Sequence, residues 1–273
     1  MLRSFLFVPA IDEKRLARVH ERGADAVILD LEDAVPPEAK AAARAGLRGV
    51  AEGLAAKGVK VFVRVNADTP ADIDAAVCGA VQGIVAPKVR GASQAADIVE
   101  AIGARANARP VDFIALIESA SGIFNAAPIA GVNGVSGLAL GSEDLTAELG
   151  VAPTADSLDL PCKMIALAAA TRGLMALGAP VSIGEFRDLD LYRNAIALAR
   201  RVGMTGTFCI HPAQVAVAND GFAPSPAELD EARALLAAWR EAEATGVGVI
   251  AHGGRMIDAP VVARAKRLLG IST

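Results

Sequence analysis

Two acidic side chains end apolar runs one structural repeat apart. Glu118 follows "DFIALI", residues 112–117, and Asp144 follows "VSGLALGSE", residues 135–143, so the two stand 26 residues apart. A carboxylate at the end of a buried run is costly unless something pairs with it. Two carboxylates delivered to one level repel each other unless a cation lies between them. Mg²⁺ suits such a pair: it is a hard ion with oxygen ligands, and it usually keeps water or substrate in its remaining positions. No His or Cys lies close by in sequence, which argues against zinc. A second reading pairs Glu118 with Arg64 and uses Asp144 to cap a helix starting at Leu145. Spacing does not decide between the two.

Arg64, at the end of "VKVFVR", adds a fixed and permanently charged fork. That group suits a substrate carboxylate or a developing oxyanion, and it suits equally a structural ion pair with Glu32 or Glu118. The segment "GSEDL" places small residues before a helix, where backbone N–H groups can receive a carboxylate. Ser142 and Glu143 become candidate substrate contacts on that ground. His211, in "CIHPAQ", could act as a general base, but with Pro212 behind it a hydrogen-bonded structural role fits better.

These residues need elements to carry them. Short apolar runs recur at "SFLFVPA", "AVILDLE", "VKVFVRVN", "GIVAPKV", "DFIALIES", "GVSGLALG", "APVSIGE" and "GTFCIHP". Stretches of helical spacing separate them, and Gly23, Gly58, Gly178 and Gly203 stand where helices would end. Eight strands, each followed by a helix, predict a (β/α)8 barrel over residues 1–222. A doubly wound sheet is the competitor, but no G-x-G-x-x-G follows the first strand. In a barrel the active site lies at the C-terminal ends of the strands. The polar residues collect there: Asp30, Glu32, Asp33, Arg64, Asn66, Lys88, Glu118, Glu143, Asp144, Glu185 and His211. Residues 223–273 read as a helical extension, with helices near 225–243 and 259–269.

Composition narrows the partners. Hydrophobic residues make up 53% of the 273-residue chain and aromatics 4%, so Ala, Val, Leu and Ile must build the core. The net charge of −4 and the lack of a basic run argue against nucleic acid and anionic membranes. The apolar N-terminal stretch is broken by Asp12, Glu13 and Lys14, and no membrane span is expected. Cys78, Cys162 and Cys209 are scattered and odd in number, which suits reduced core thiols and a cytoplasmic protein.

Several of these stretches resemble one family. "RSFLFVPA", "DAVILDLEDAVPPEAKAAAR", "VFVRVN", "APKV", "ALIESASGI", "LALGSEDL" and "CIHPAQVAVANDGFAPSPAEL" look like the citrate lyase β-subunit-like proteins, which include malyl-CoA and citramalyl-CoA lyases. The likeness runs from residue 2 to about 269 and includes the terminal "GGRMIDAPVVARAKRLL". It implies a barrel that makes or breaks a carbon–carbon bond beside a thioester with Mg²⁺ as cofactor. It also implies Glu118 and Asp144 as metal ligands and Arg64 as the residue that binds the oxo acid and stabilises the oxyanion. The family's catalytic Asp falls on Asp258, in a segment that closes over a site, often a neighbouring subunit's in a trimer. Read alone, Asp258 is an N-cap before Ala259 and Pro260. The expected substrates are a CoA thioester and a 2-oxo acid. An acyl-carrier-protein thioester, thioester hydrolysis, a malate-synthase-like activity and a non-catalytic binding barrel remain as alternatives. Lys14, Arg15 and Lys88 are candidates for the CoA site, and solvated surface positions explain them equally.

Overall fold

In a computed structural model that describes residues 2–66, 70–106, 109–244 and 249–271, eight parallel strands follow one another around a ring. They are β1 (Ser4–Pro9), β2 (Ala26–Asp30), β3 (Val61–Arg64), β4 (Val81–Ala86), β5 (Asp112–Ile117), β6 (Val135–Leu140), β7 (Met175–Leu177) and β8 (Thr207–Cys209). Neighbours in sequence are neighbours in the sheet, and β8 returns to pair with β1. The β7–β8 seam closes through flanking residues: Leu177 bridges Gly206, and the Thr205 N–H donates to the Ala176 carbonyl at 2.7 Å. The result is a TIM-type (β/α)8 barrel with helices between the strands.

Strand alternation sorts the side chains into two layers. Leu6, Val8, Val27, Leu29, Val63 and Ile84 face outward and join the core shared with the helices. Phe5, Ile28, Phe62, Val85, Leu116 and Phe208 face inward and fill the barrel. Four of the ten aromatics stand there. Phe5 meets Phe62 edge to face at 5.2 Å, and Phe7 meets Phe208 in the same way at 5.2 Å. Gly83 leaves room for this packing, because a Cβ at that position would sit 2.4 Å from the Phe62 ring. Carried one step further along each strand, the inward phase delivers Asp30 after Ile28, Arg64 after Phe62 and Glu118 after Leu116.

The seventh strand departs from expectation. It occupies Met175–Leu177, and "APVSIGE" at 179–185, with Glu185, lies beyond it in a loop. The preceding helix stops at Ala170, and Gly173 turns the chain at φ +66 before the strand begins. Gly178, at φ +136, therefore ends a strand rather than a helix. Only Thr171, Arg172 and Gly173 separate the apolar helix from the apolar strand, so hydrophobicity marked the boundary weakly.

The chain divides into two compact units, Met1–Phe222 and Ala223–Thr273. The second holds the helix Pro226–Glu243, a hairpin of β9 (Ile250–His252) and β10 (Arg255–Ile257), and the helix Ala259–Leu268. Gly253 and Gly254, both at positive φ, form the two-residue turn of that hairpin. Ala232, Leu236, Ile257, Val262 and Ala265 make a small core of its own. Among the described residues no helix is long and apolar enough to cross a membrane.

Gly83→Ala is expected to force the Phe62 ring out of place and to cost roughly 1–3 kcal/mol, the usual penalty for overpacking. A urea melt checks this, and an unchanged midpoint would show that the barrel interior has slack.

Candidate active site

A cavity of about 380 Å³ opens at the C-terminal ends of the strands, lined in part by Asp30, Arg64, Glu118, Ser142, Glu143 and Asp144. Its apolar wall is the rim of the barrel core, including Phe7, Leu116 and Phe208.

Arg64 is held on three sides. Asp30 is its registered neighbour across β2 and β3 and takes a two-pronged contact, with Nε and Nη2 each donating at 2.7 Å. Nη1 lies 2.8 Å from Glu32 and 3.4 Å from Asp33, and the guanidinium covers the Phe7 ring at 4.9 Å. Burial works against its charge, but the Asp30 hydrogen bond and the surrounding carboxylates outweigh it and raise the pKa. Asp30 is a partner the sequence reading missed, since that reading offered only Glu32 or Glu118. The signal was present: Asp30 shares the inward phase of Ile28. Burial raises the Glu32 pKa, with Arg64 opposing the shift.

Glu118 is 6% exposed. Its Oε1 accepts the backbone N–H of Lys88 at 2.6 Å. Its other oxygen faces Gly141, where an added Cβ would stand 2.7 Å from Oε2. Gly141 is thus a close-approach glycine that lets the strand-end carboxylate lie flat against the next strand's exit. Burial, and next the Asp144 charge, push the Glu118 carboxyl up to about 8 from an ordinary 4.5, against lowering contributions from the Lys88 N–H and Arg64.

Asp144 does not cap a helix from outside. The helix begins at Ser142 and runs to Leu149, with Gly141 as an N-cap that makes no side-chain hydrogen bond. Glu143 and Asp144 therefore sit in its first turn, where the helix dipole favours negative charge. Ser142 is buried, and its Oγ lies 3.3 Å from both Glu143 Oε1 and the Ile183 N–H. Glu143 Oε1 also accepts from Ser182 Oγ at 2.7 Å and from the Ile183 N–H at 3.1 Å. Glu143 thereby fastens the loop after β7 to this helix.

Gln214, fully buried, ties the next junction and was not foreseen. Its Oε1 accepts from the N–H groups of Ile210 and His211, and its Nε2 donates to the carbonyls of Ile183 and Glu185. His211 stacks on Phe186 at 4.8 Å and its Nδ1 accepts from the Ala213 N–H. Arg15 lines the cavity, while Lys88 pairs with Glu32 at 3.5 Å. Asp258 belongs to the second unit, where it caps the helix Ala259–Leu268 by accepting from the Val261 N–H at 3.3 Å.

The donor set fits Mg²⁺. Among the described residues no three His, Cys, Asp or Glu side chains converge as a metal cage. Glu118 and Asp144 line the same cavity, and the Asp144 charge makes Glu118 harder to ionise. Two hard oxygen donors with open positions beside them suit an ion that retains water and substrate.

A family model described as HpcH/HpaI aldolase/citrate lyase matches residues 3–212. This chain belongs to that family. Among its family relatives, a (3S)-malyl-CoA thioesterase of Cereibacter sphaeroides is 36% identical, over 98% of this chain and 93% of the relative. An L-malyl-CoA/beta-methylmalyl-CoA lyase of the same species is 32% identical, over 94% and 89%. The solved structure of CitE from Mycobacterium tuberculosis, in complex with magnesium, acetoacetate and coenzyme A, superposes with a TM-score of 0.77 at 33% identity. That superposition covers 98% of this chain and 97% of CitE.

The raised Glu118 pKa has a consequence for stability. The folded chain binds this proton more tightly than the unfolded chain does. The resulting stabilisation is fully present below about pH 4.5 and is lost as pH rises through about 8. Glutamine does not ionise. In metal-free buffer Glu118→Gln is expected to match the wild type near the bottom of this window and to exceed it by up to about 5 kcal/mol above the top. Urea melts across the range check this, and parallel pH dependences of the two proteins would contradict it.

Proposed function

We propose that this chain is a Mg²⁺-dependent carbon–carbon lyase that reversibly cleaves a β-hydroxyacyl-CoA, such as malyl-CoA or citramalyl-CoA, into an acyl-CoA and a 2-oxo acid. The observation that carries the reading is the meeting of Glu118, Asp144 and a carboxylate-braced Arg64 in one cavity. The CitE complex with magnesium, acetoacetate and coenzyme A supports it.

Glu118 and Asp144 would hold Mg²⁺, which when bound supplies a Lewis acid for the carbonyl of the oxo acid. The helix start at Ser142 offers backbone N–H groups to the oxo acid's carboxylate. Arg64 has five N–H donors. Asp30 occupies two of them and Glu32 and Asp33 engage Nη1, so the second Nη2 hydrogen is the one available to a substrate oxygen. Because Asp30 fixes the guanidinium plane, that donor is aimed before substrate arrives. A fixed donor of this kind contributes roughly 3–4 kcal/mol to a developing oxyanion. In cleavage the bond between the hydroxyl-bearing carbon and the α-carbon breaks, and its electrons pass into the thioester enolate. Asp258 then donates a proton to that carbon. The hydroxyl proton passes through water to the Asp258 carboxylate left behind, so Asp258 regains its starting form and no net proton is gained or lost. In the synthetic direction Asp258 removes the proton. The reading takes the active form to be a homo-oligomer, a trimer or a multiple of three, working in the cytoplasm.

The thioesterase relative favours a second reading, hydrolysis of the same thioester to malate and free CoA. Incubation with malyl-CoA, with and without Mg²⁺, separates the two. Lyase action releases glyoxylate and acetyl-CoA; a free thiol with malate and no glyoxylate would favour hydrolysis. Citryl-acyl-carrier-protein as the only substrate would transfer the chemistry to a carrier-linked complex. Mg²⁺ binding without turnover of any thioester would favour a binding barrel.

Asp258→Asn is expected to lower kcat at least 100-fold. Pyruvate binding in the presence of Mg²⁺, measured by calorimetry, should stay within about threefold, since a group that acts on the reacting proton contributes mainly to the transition state. Joint loss of both would assign Asp258 to folding instead.

A further inference from the structure

Lys88 is the one non-glycine residue at positive φ among the described residues, at φ +56. Side chains resist this left-handed region, and where they occupy it the surroundings must enforce it. Here they do. The Lys88 carbonyl accepts from Gln94 Nε2 at 3.2 Å, and Gln94 Oε1 in turn accepts from the Arg90 N–H at 2.9 Å. The Arg90 carbonyl accepts from Asn125 Nδ2 at 2.8 Å. Between them, the Val89 N–H donates to the Leu116 carbonyl at 3.2 Å. The Val89 carbonyl presses so closely on Gly122 that a Cβ there would meet it at 2.9 Å. The segment after β4 is thus gripped on both sides of Lys88.

What this grip accomplishes is visible at the N–H of the strained residue, which donates to Glu118 Oε1 at 2.6 Å. Successive N–H groups of an extended strand point to opposite sides, so with the Val89 N–H held on the Leu116 carbonyl an extended Lys88 would aim its own N–H away from Glu118. The Lys88 side chain does not explain the conformation. It is 48% exposed and its pairing with Glu32 is 3.5 Å long, an arrangement worth little.

We propose that Lys88 and Gln94 are positioning residues for the cation-binding carboxylate. Gln94 holds Lys88 in the left-handed conformation, and the Lys88 N–H then fixes Glu118 so that Oε2 stays turned to the Gly141 side. Partners that orient a metal-ligating group commonly alter its affinity for the ion by 10–100-fold. The proposal rests on reading Glu118 as a Mg²⁺ ligand.

The test is calorimetric titration of the full-length chain with Mg²⁺ alone, with no substrate present. Gln94→Ala is expected to weaken binding about 5–10-fold. Lys88→Gly keeps the N–H and adopts positive φ freely, so it should bind within twofold of the wild type. In the double variant Lys88→Gly/Gln94→Ala the glycine no longer needs the grip, and affinity should recover to within about threefold of the wild type. Unchanged binding in Gln94→Ala would overturn the proposal. So would a double variant as weak as Gln94→Ala alone, since a merely structural loss would not be rescued by glycine. Hydrogen exchange at the Lys88 amide supplies a readout that needs no metal, and it should be faster in Gln94→Ala than in the wild type. If the wild type bound no Mg²⁺ while this difference held, the metal assignment would fail and the positioning of Glu118 would stand. Equal exchange rates would overturn the positioning itself.

Discussion

Unbalanced negative charge at the mouth of an apolar barrel is the constraint on which this site depends. Asp30, Glu32, Asp33, Glu118 and Asp144 outnumber the cations beside them, the braced Arg64, Arg15 and the half-exposed Lys88. Burial denies Glu118 the hydration that would make its charge tolerable, and Asp144 adds to the difficulty. A protein can meet that situation with a proton or with a cation. A proton would leave the pair inert, whereas a divalent ion would make the same two side chains a platform for a chelating oxo acid. The geometry around the pair, with Gly141 making room and the Lys88 N–H holding one oxygen, keeps the carboxylate fixed rather than free to find another partner.

The barrel produces this arrangement through period-two alternation and little else. Every second residue of a strand faces the interior, so the layer of Phe5, Ile28, Phe62 and Leu116 determines which residues stand one step above it. Asp30, Arg64 and Glu118 occupy that step because each follows an inward hydrophobe by two positions. The Asp30–Arg64 pair is then a matter of register between adjacent strands, not of a flexible side chain searching for a counter-ion. Packing energy in the apolar layers thus sets the orientation of the polar group that would receive substrate. The junctions made by Glu143 and Gln214 extend the same fixing to the loops after β7 and β8.

Much of this was legible in the residues. Eight apolar runs with helical spacers and Gly punctuation were enough for the barrel, and polar residues at six of the strand ends were enough to find the mouth. Glu118 and Asp144 were visible because spacing of one repeat places residues just beyond the ends of adjacent strands. The seventh strand was misplaced because only Thr171, Arg172 and Gly173 divide the apolar helix from a short apolar strand, while the run "APVSI" at 179–183 reads as a strand of its own. Asp30 was passed over as the partner of Arg64 because a long side chain has several carboxylates in reach, and strand register, which decides among them, is a long-range property. The left-handed backbone at Lys88 left no mark at all, since neither Gly nor Asn announces it. Asp258 carries the opposite lesson: its local sequence explains it fully as a helix cap, and only the family likeness suggests chemistry.

Crystals of the full-length chain soaked with Mn²⁺ and pyruvate test the central claim most directly, with manganese standing in for magnesium as an anomalous scatterer. The account predicts one strong peak between the carboxylates of Glu118 and Asp144, with pyruvate completing the ion's coordination. A peak elsewhere in the cavity, or none while pyruvate is bound to Arg64, would contradict it.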